Sequence, residues 1–374
     1  MLQRPFRSTR LLALCGAVFL MAAPADAQAP APAPAAAQPA RVPEHAEGIY
    51  SSVEALAAAP KVKISNGVID AVVLVPDHEK GFYKGVRFDL AGMIPSLKVR
   101  GQEFYGLWFD GIAANLRDYV FQDGKIIAAP NTAALGPSDA YDTSDPPGWK
   151  DAAPGGLFLK IGVGMLRKPT DGQPYNSFRA YELVDAGKWT VQARKDGVVF
   201  THTLGGPGSD YGYVYRKELR LAPGKPVLEI RHSLKNTGKA AIASSTFNHN
   251  FFPLGGLPTK AGLTVSAPYA LEPTAPLKEA AKIEGGKLVY ARALQPQEVF
   301  STNFKTAEGA PYDFGIHDAE GTGYRAQSDR PVTRLLLWSI RSTVSVEPYV
   351  DIKAAPGQTT DWTFTYTYAA PPRA

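Results

Sequence analysis

The chain has 374 residues with 40 Lys and Arg against 35 Asp and Glu, a formal charge of +5, and 45 % apolar residues. So small and dispersed a positive balance gives no argument for nucleic-acid binding, and a lone cysteine, Cys15, excludes a disulfide framework or thiolate chemistry in the mature chain. The abundance of Phe and Tyr (17 each), Gly (35) and Pro (32) suits a β-rich chain with many turns.

The N-terminus carries Arg4, Arg7 and Arg10, an apolar run over 11–23, and Ala25-Asp26-Ala27, the small-x-small pattern of a cleavage site. Residues 1–27 are therefore expected to be a Sec-type signal peptide, which directs the protein to the periplasm or the exterior. Cys15 does not fit a lipobox, because Leu14 precedes it and the apolar run continues beyond it. Removing the leader takes three arginines and one aspartate and leaves a charge of +3. Residues 28–42 form a Pro/Ala tract that cannot build a core and reads as a tether. Residues 43–374 read as one domain, with no repeat and no further composition shift. No later stretch is long and apolar enough to span a bilayer, so no membrane insertion of the mature chain is expected.

Ser51 with Glu54 three residues on predicts a capped short helix over 53–59. Strands are predicted over 68–75, 87–90, 157–163, 188–193, 198–204, 211–215, 227–234, 241–248, 262–266, 333–340 and 360–368, punctuated by Gly, Pro, Asp and Asn at about ten-residue intervals. The last is the clearest: Trp362, Phe364, Tyr366 and Tyr368 share one parity and Asp361, Thr363, Thr365 and Thr367 the other. The rhythm is that of an all-β sandwich.

Two segments bring together a histidine and a carboxylate, the groups that general acid/base chemistry requires. His249 shares parity with Phe247 and Phe251, which by itself reads as a core histidine satisfied by a backbone partner. Glu347 shares parity with Ser345 and Tyr349 rather than with Val344 and Val346, which sets it in polar or aromatic surroundings. Tyr349 and Trp108 are candidate surfaces for the apolar face of a sugar, although Trp108 equally suits a core. Arg87 can serve as a bidentate ligand or pair with Asp89 or Asp110. His317, beside Asp318 in a polar loop, can reach a ligand hydroxyl, whereas His232 shares a face with Leu228, Ile230 and Leu234 and reads as packed. No spacing of His, Asp or Glu suggests a metal site.

The run Asn248-His249-Asn250-Phe251-Phe252-Pro253-Leu254 resembles the Asn-His-x-Tyr-Phe-Asn-Leu motif of aldose 1-epimerases (galactose mutarotases). Val344-Ser345-Val346-Glu347-Pro348-Tyr349, followed by Ala355-Pro356-Gly357 and a terminal strand, resembles their C-terminal glutamate motif. Arg87-Phe88 is similar to their Arg-Phe segment. The chain is most similar to secreted bacterial members of this galactose mutarotase-like superfamily to which no settled activity attaches, sharing Phe158-Leu159-Lys160-Ile161-Gly162-Val163-Gly164.

The resemblance implies a β-supersandwich of two large antiparallel sheets with a sugar site on its concave side. It also implies an isomerase that needs no cofactor, with Glu347 as the base on the anomeric hydroxyl, His249 as the acid on the ring oxygen, and Arg87 and Asn248 among the sugar contacts. The expected partner is a mono- or oligosaccharide. The chain departs from the family in lacking the early Leu-His-Gly-Gly histidine, since no histidine lies between His78 and His202. That departure keeps open a carbohydrate-binding protein without turnover. A lyase-like sandwich acting on a polysaccharide is the third alternative.

Overall fold

Strand pairing in the computed structural model is carried mainly by two antiparallel sheets that share one apolar interior. Residues 45–205, 209–253 and 259–371 are described. The expected leader and tether, and Leu254 of the histidine segment, lie outside the described residues.

The larger sheet has ten strands among the described residues, and its centre is the run Tyr213–Leu221, Val227–Asn236, Thr359–Ala369, Gly323–Pro331 and Pro311–His317. The smaller sheet has five, in the order Val299–Phe304, Arg334–Ile340, Thr343–Ala354, Ile242–His249 and Ser138–Tyr141. Every pairing in both is antiparallel. The all-β sandwich expected from the sequence is the fold observed.

Alternation assigns the side chains. In the terminal strand Trp362, Phe364, Tyr366 and Tyr368 are buried against the facing sheet, together with Leu228 and Ile230. From the five-stranded sheet Val344, Val346, Val350, Leu335 and Leu337 enter the same core. The opposite parity of those strands, with Phe247, Tyr349, Leu336 and Trp338, packs on the other face into a second apolar cluster with Phe88, Trp108 and Phe251. This outer cluster encloses the candidate site.

The sequence expectations hold for most strands and fail in two places, and the expected helix lies one residue earlier. The helix is Ser52–Ala58, with Ser51 Oγ accepting from Glu54 N–H at 3.3 Å, as the cap pattern requires. The stretch 157–163 is not one strand: Leu157–Lys160 turns at 161–163 and pairs back with Gly164–Arg167. Gly162 makes that turn at φ +72, where a Cβ would strike the Asp89 carboxyl, so the position calls for glycine on both counts. The stretch 87–90 is not a strand but an irregular segment with a single bridge, Phe88 to Ala140. It is held by the Tyr83 hydroxyl, which accepts from Arg87 N–H (3.1 Å) and Phe88 N–H (2.9 Å). Among the described residues, no helix is long and apolar enough to cross a membrane.

Candidate active site

Register brings the histidine and the glutamate together. Ile242–His249 pairs with Thr343–Ala354 so that Phe247 opposes Tyr349, and the same register resumes at Phe252 opposite Val344. Continued through the gap, it sets His249 opposite Glu347. The ladder breaks there because Pro348 has no N–H to give. Asn250 fills the break: its N–H donates to Ser345 Oγ (2.9 Å) and its side-chain amide donates to Val346 O (2.6 Å). A gap in backbone pairing thus becomes a place where two ionisable side chains share one face.

His249 Nε2 lies 3.2 Å from Glu347 Oε1, with both side chains buried (7 % and 3 % exposed). Aromatic rings surround the imidazole. Phe251 stacks on it at 3.6 Å between centroids and 8° between planes, while Phe88 and Trp338 meet it edge-on at 5.8 and 5.4 Å. Phe251 adopts φ +31, a left-handed conformation that costs a residue with a Cβ. Trp108 stacks in turn on Phe251 at 5.1 Å.

Burial controls the protonation of the pair. Removal from water pushes the Glu347 carboxyl up to about 8, against the opposing pull of Arg87, Ser345 and Arg334. Burial, with Arg87 acting in the same direction, holds His249 well below the ordinary imidazole value. At neutral pH the pair holds one proton, resting on Glu347 rather than on His249.

Three polar atoms here are buried without hydrogen-bond partners: His249 Nδ1, Glu347 Oε1 and Arg87 Nε. Unmet polar atoms inside a fold are costly, and a polar group that paired with them would remove that cost. The Arg87 guanidinium packs against the rings of Phe178 (4.2 Å) and Phe88 (4.7 Å). Tyr349 lies close enough to Glu347, Arg334 and Arg87 for their charges to act on its phenol, and its ring stacks on Phe247 at 4.4 Å.

The other sequence candidates sit elsewhere. Asn248 points to the opposite face of its strand, where its amide donates to Asp139 Oδ1 (2.6 Å) and its carbonyl accepts from the Tyr312 hydroxyl (3.5 Å). Trp108 is buried, and its indole N–H donates to Ala134 O at 2.9 Å. His317 ends the strand Pro311–His317 of the ten-stranded sheet, paired with Thr264 and Gly323, rather than lying in a loop. Phe251, Phe88 and Trp338 escaped the sequence reading as walls of the site. The parity of Trp338 with Leu336, across a short hairpin from Glu347, was the available signal.

Behind Asn248, between the sheets, lies a buried charged cluster. The Lys217 ammonium pairs with Asp139 and with Asp89 (3.2 Å). The Tyr215 hydroxyl donates to Asp89 Oδ2 (2.9 Å) and lies 3.0 Å from His232 Nδ1, whose ring stacks on Trp362 at 4.7 Å and 1°. Burial drives His232 down to about 3, so it is a neutral, packed histidine.

No family model and no curated protein matches the chain. Solved structures do match. They include a galactose mutarotase related enzyme from Lactobacillus acidophilus (14 % identity, TM-score 0.48, covering 83 % of this chain and 97 % of that one). A galactose mutarotase-like protein from Lactobacillus casei ATCC 334 matches at 11 % identity and TM-score 0.48, over 83 % and 100 %. Galactose 1-epimerase from Lactobacillus acidophilus NCFM matches at 11 % and 0.45, over 83 % and 94 %. The likeness concerns fold alone.

Proposed function

We propose that this is a sugar-handling protein of the aldose 1-epimerase type, which interconverts the anomers of a pyranose by acid/base catalysis. The observation that carries the reading is the 3.2 Å approach of His249 Nε2 to Glu347 Oε1 inside an aromatic enclosure. Opening a pyranose removes the proton of the anomeric hydroxyl, breaks the bond from the anomeric carbon to the ring oxygen, and delivers a proton to that oxygen. One base and one acid suffice.

The pair holds the single proton this requires. Its transfer from Glu347 to His249 yields the carboxylate that accepts the hydroxyl proton and the imidazolium that protonates the ring oxygen. The free aldehyde then rotates, and closure reverses both transfers. Trp338, Phe88 and Tyr349 supply the apolar walls against which a sugar ring packs, and Arg87 supplies N–H donors for its oxygens. In keeping with the expected leader, the site of action is placed outside the cytoplasm.

Enclosure of both groups favours one second reading, a pocket that binds a sugar without turning it over. Polarimetry on freshly dissolved α-aldopyranoses separates the two: faster decay to the equilibrium rotation with protein supports the epimerase, whereas binding with an unchanged decay supports the second reading.

A further inference from the structure

The charges around the Glu347–His249 pair do not balance. Arg87 makes no ion pair or side-chain hydrogen bond among the described residues, and its Nε is buried without an acceptor. Its guanidinium packs against Phe178 and Phe88, so its donors are free to act in the plane of the group, the geometry that meets a carboxylate or phosphate through two parallel hydrogen bonds.

A second cation sits close by. Lys160 is buried, its ammonium donating to Tyr141 O and Asp142 O (3.2 Å) and lying 5.8 Å from the Tyr175 ring centre. Burial is the main cause that lowers the Lys160 ammonium to about 8; Asp142 pulls the other way, and the Arg87 charge adds to the lowering. Arg334, over the Tyr349 ring at 5.0 Å, adds a third positive charge that acts on Glu347. Against these three stand Asp142 and Glu347, and Glu347 keeps its proton at neutral pH. Asp142 has φ +43, and its carboxyl accepts from the Ser245 N–H at 3.1 Å while its backbone carbonyl accepts from Lys160. Arg334 is exposed, Lys160 is buried beside the Asp142 carbonyl, and Arg87 is half-buried with no counter-ion of its own; a cation drawn out of water without a partner is costly, and an anionic guest on Arg87 removes that cost.

We infer that the ligand of this site is an acidic sugar, bearing a carboxylate or a phosphate that Arg87 receives directly while Lys160 supplies supporting charge. The inference rests on the sugar-site reading above and specifies its substrate class. The two sources of the anion, a uronic acid and a sugar phosphate, share the chemistry that Arg87 recognises.

The test compares anomer exchange of glucose, glucuronate and glucose 6-phosphate, and of the galacto counterparts, by exchange NMR with the full chain. Wild-type protein is expected to favour one anionic series over the neutral sugars by about tenfold or more in kcat/KM, the effect of one charge-assisted contact. Preference for the uronates identifies a carboxylate, and preference for the phosphates identifies a phosphate. In Arg87→Gln the anionic-to-neutral ratio is expected to fall toward one, and in Arg87→Lys, which keeps the charge but loses the planar fork, to take an intermediate value. Equal kcat/KM for neutral and anionic sugars in the wild type overturns the acidic-sugar inference and leaves the acid/base site standing. Neither exchange nor binding with any of the six sugars overturns both.

Discussion

Glu347 Oε1 and His249 Nε2 face each other at 3.2 Å because Pro348 interrupts the ladder between their strands and Asn250 spans the gap. At neutral pH the pair holds one proton, on Glu347, and each variant removes a different half of the proposed chemistry. Glu347→Gln, and separately His249→Gln, are expected to lower kcat by about 100-fold or more, with far-ultraviolet circular dichroism unchanged. Retained turnover in either variant excludes that residue as a catalytic group.

The singly protonated pair also fixes the form of the pH–rate profile. Turnover should fall above pH 8, as the proton held by Glu347 is lost, and stay flat below that until His249 takes up a second proton, well below the ordinary imidazole range. Arg87→Gln removes a charge that favours the Glu347 carboxylate, so the alkaline limb should move to higher pH. An unmoved limb would show that the Arg87 charge does not reach the pair.

Stability carries the same signature. Because the folded carboxyl of Glu347 titrates at about 8 rather than near 4.5, the folded state holds a proton that the unfolded chain has already released. This contribution is fully present below the unfolded value and is lost as pH rises through the folded one. Glu347→Gln has no such loss. Its stability relative to wild type should therefore improve between pH 5 and pH 9 by a few kcal/mol, since each pH unit that separates the unfolded from the folded titration is worth about 1.4 kcal/mol. Parallel urea titrations check the difference, which should be zero if Glu347 titrates normally.

Phe251 separates packing from backbone strain. Phe251→Ala removes the ring stacked on His249 and should cost about 3–5 kcal/mol. Phe251→Gly removes the same ring but is at ease at φ +31, so it should be the more stable of the two by about 1 kcal/mol. Thermal unfolding of both variants decides the order.

The buried cluster behind Asn248 is expected to be structural. Lys217→Met leaves Asp89 and Asp139 without their shared cation and should cost about 3–5 kcal/mol at pH 8. Asp89, already raised to about 6 by burial, takes up a proton as the pH falls, so the deficit should shrink at pH 5.5. A deficit independent of pH would show that lost packing, not unpaired charge, sets the cost.

Much of this architecture was legible in the chain. The alternation of Trp362, Phe364, Tyr366 and Tyr368 marked a half-buried strand, and the parity of Glu347 with Ser345 and Tyr349 placed it on the aromatic face rather than in the inter-sheet core. Other features were hidden because they depend on tertiary partners. The segment 87–90 has strand composition, yet the N–H groups of Arg87 and Phe88 go to the Tyr83 hydroxyl, and those of Asp89 and Leu90 to Asp139 O and Gly162 O. Asn248 was read beside His249 although adjacent residues of a strand face opposite ways, and its amide serves Asp139. Lys160 appeared only as part of a sequence string, since its proximity to Arg87 is made by a hairpin and a loop far apart in the chain.

The most direct test of the paired roles of His249 and Glu347 is two-dimensional exchange NMR on a panel of neutral and acidic aldoses, comparing wild type with Glu347→Gln. Acceleration of α/β interconversion by the wild type, lost in the variant, is the expected result. Equal acceleration by both proteins, or line broadening from binding with no acceleration by the wild type, would contradict it.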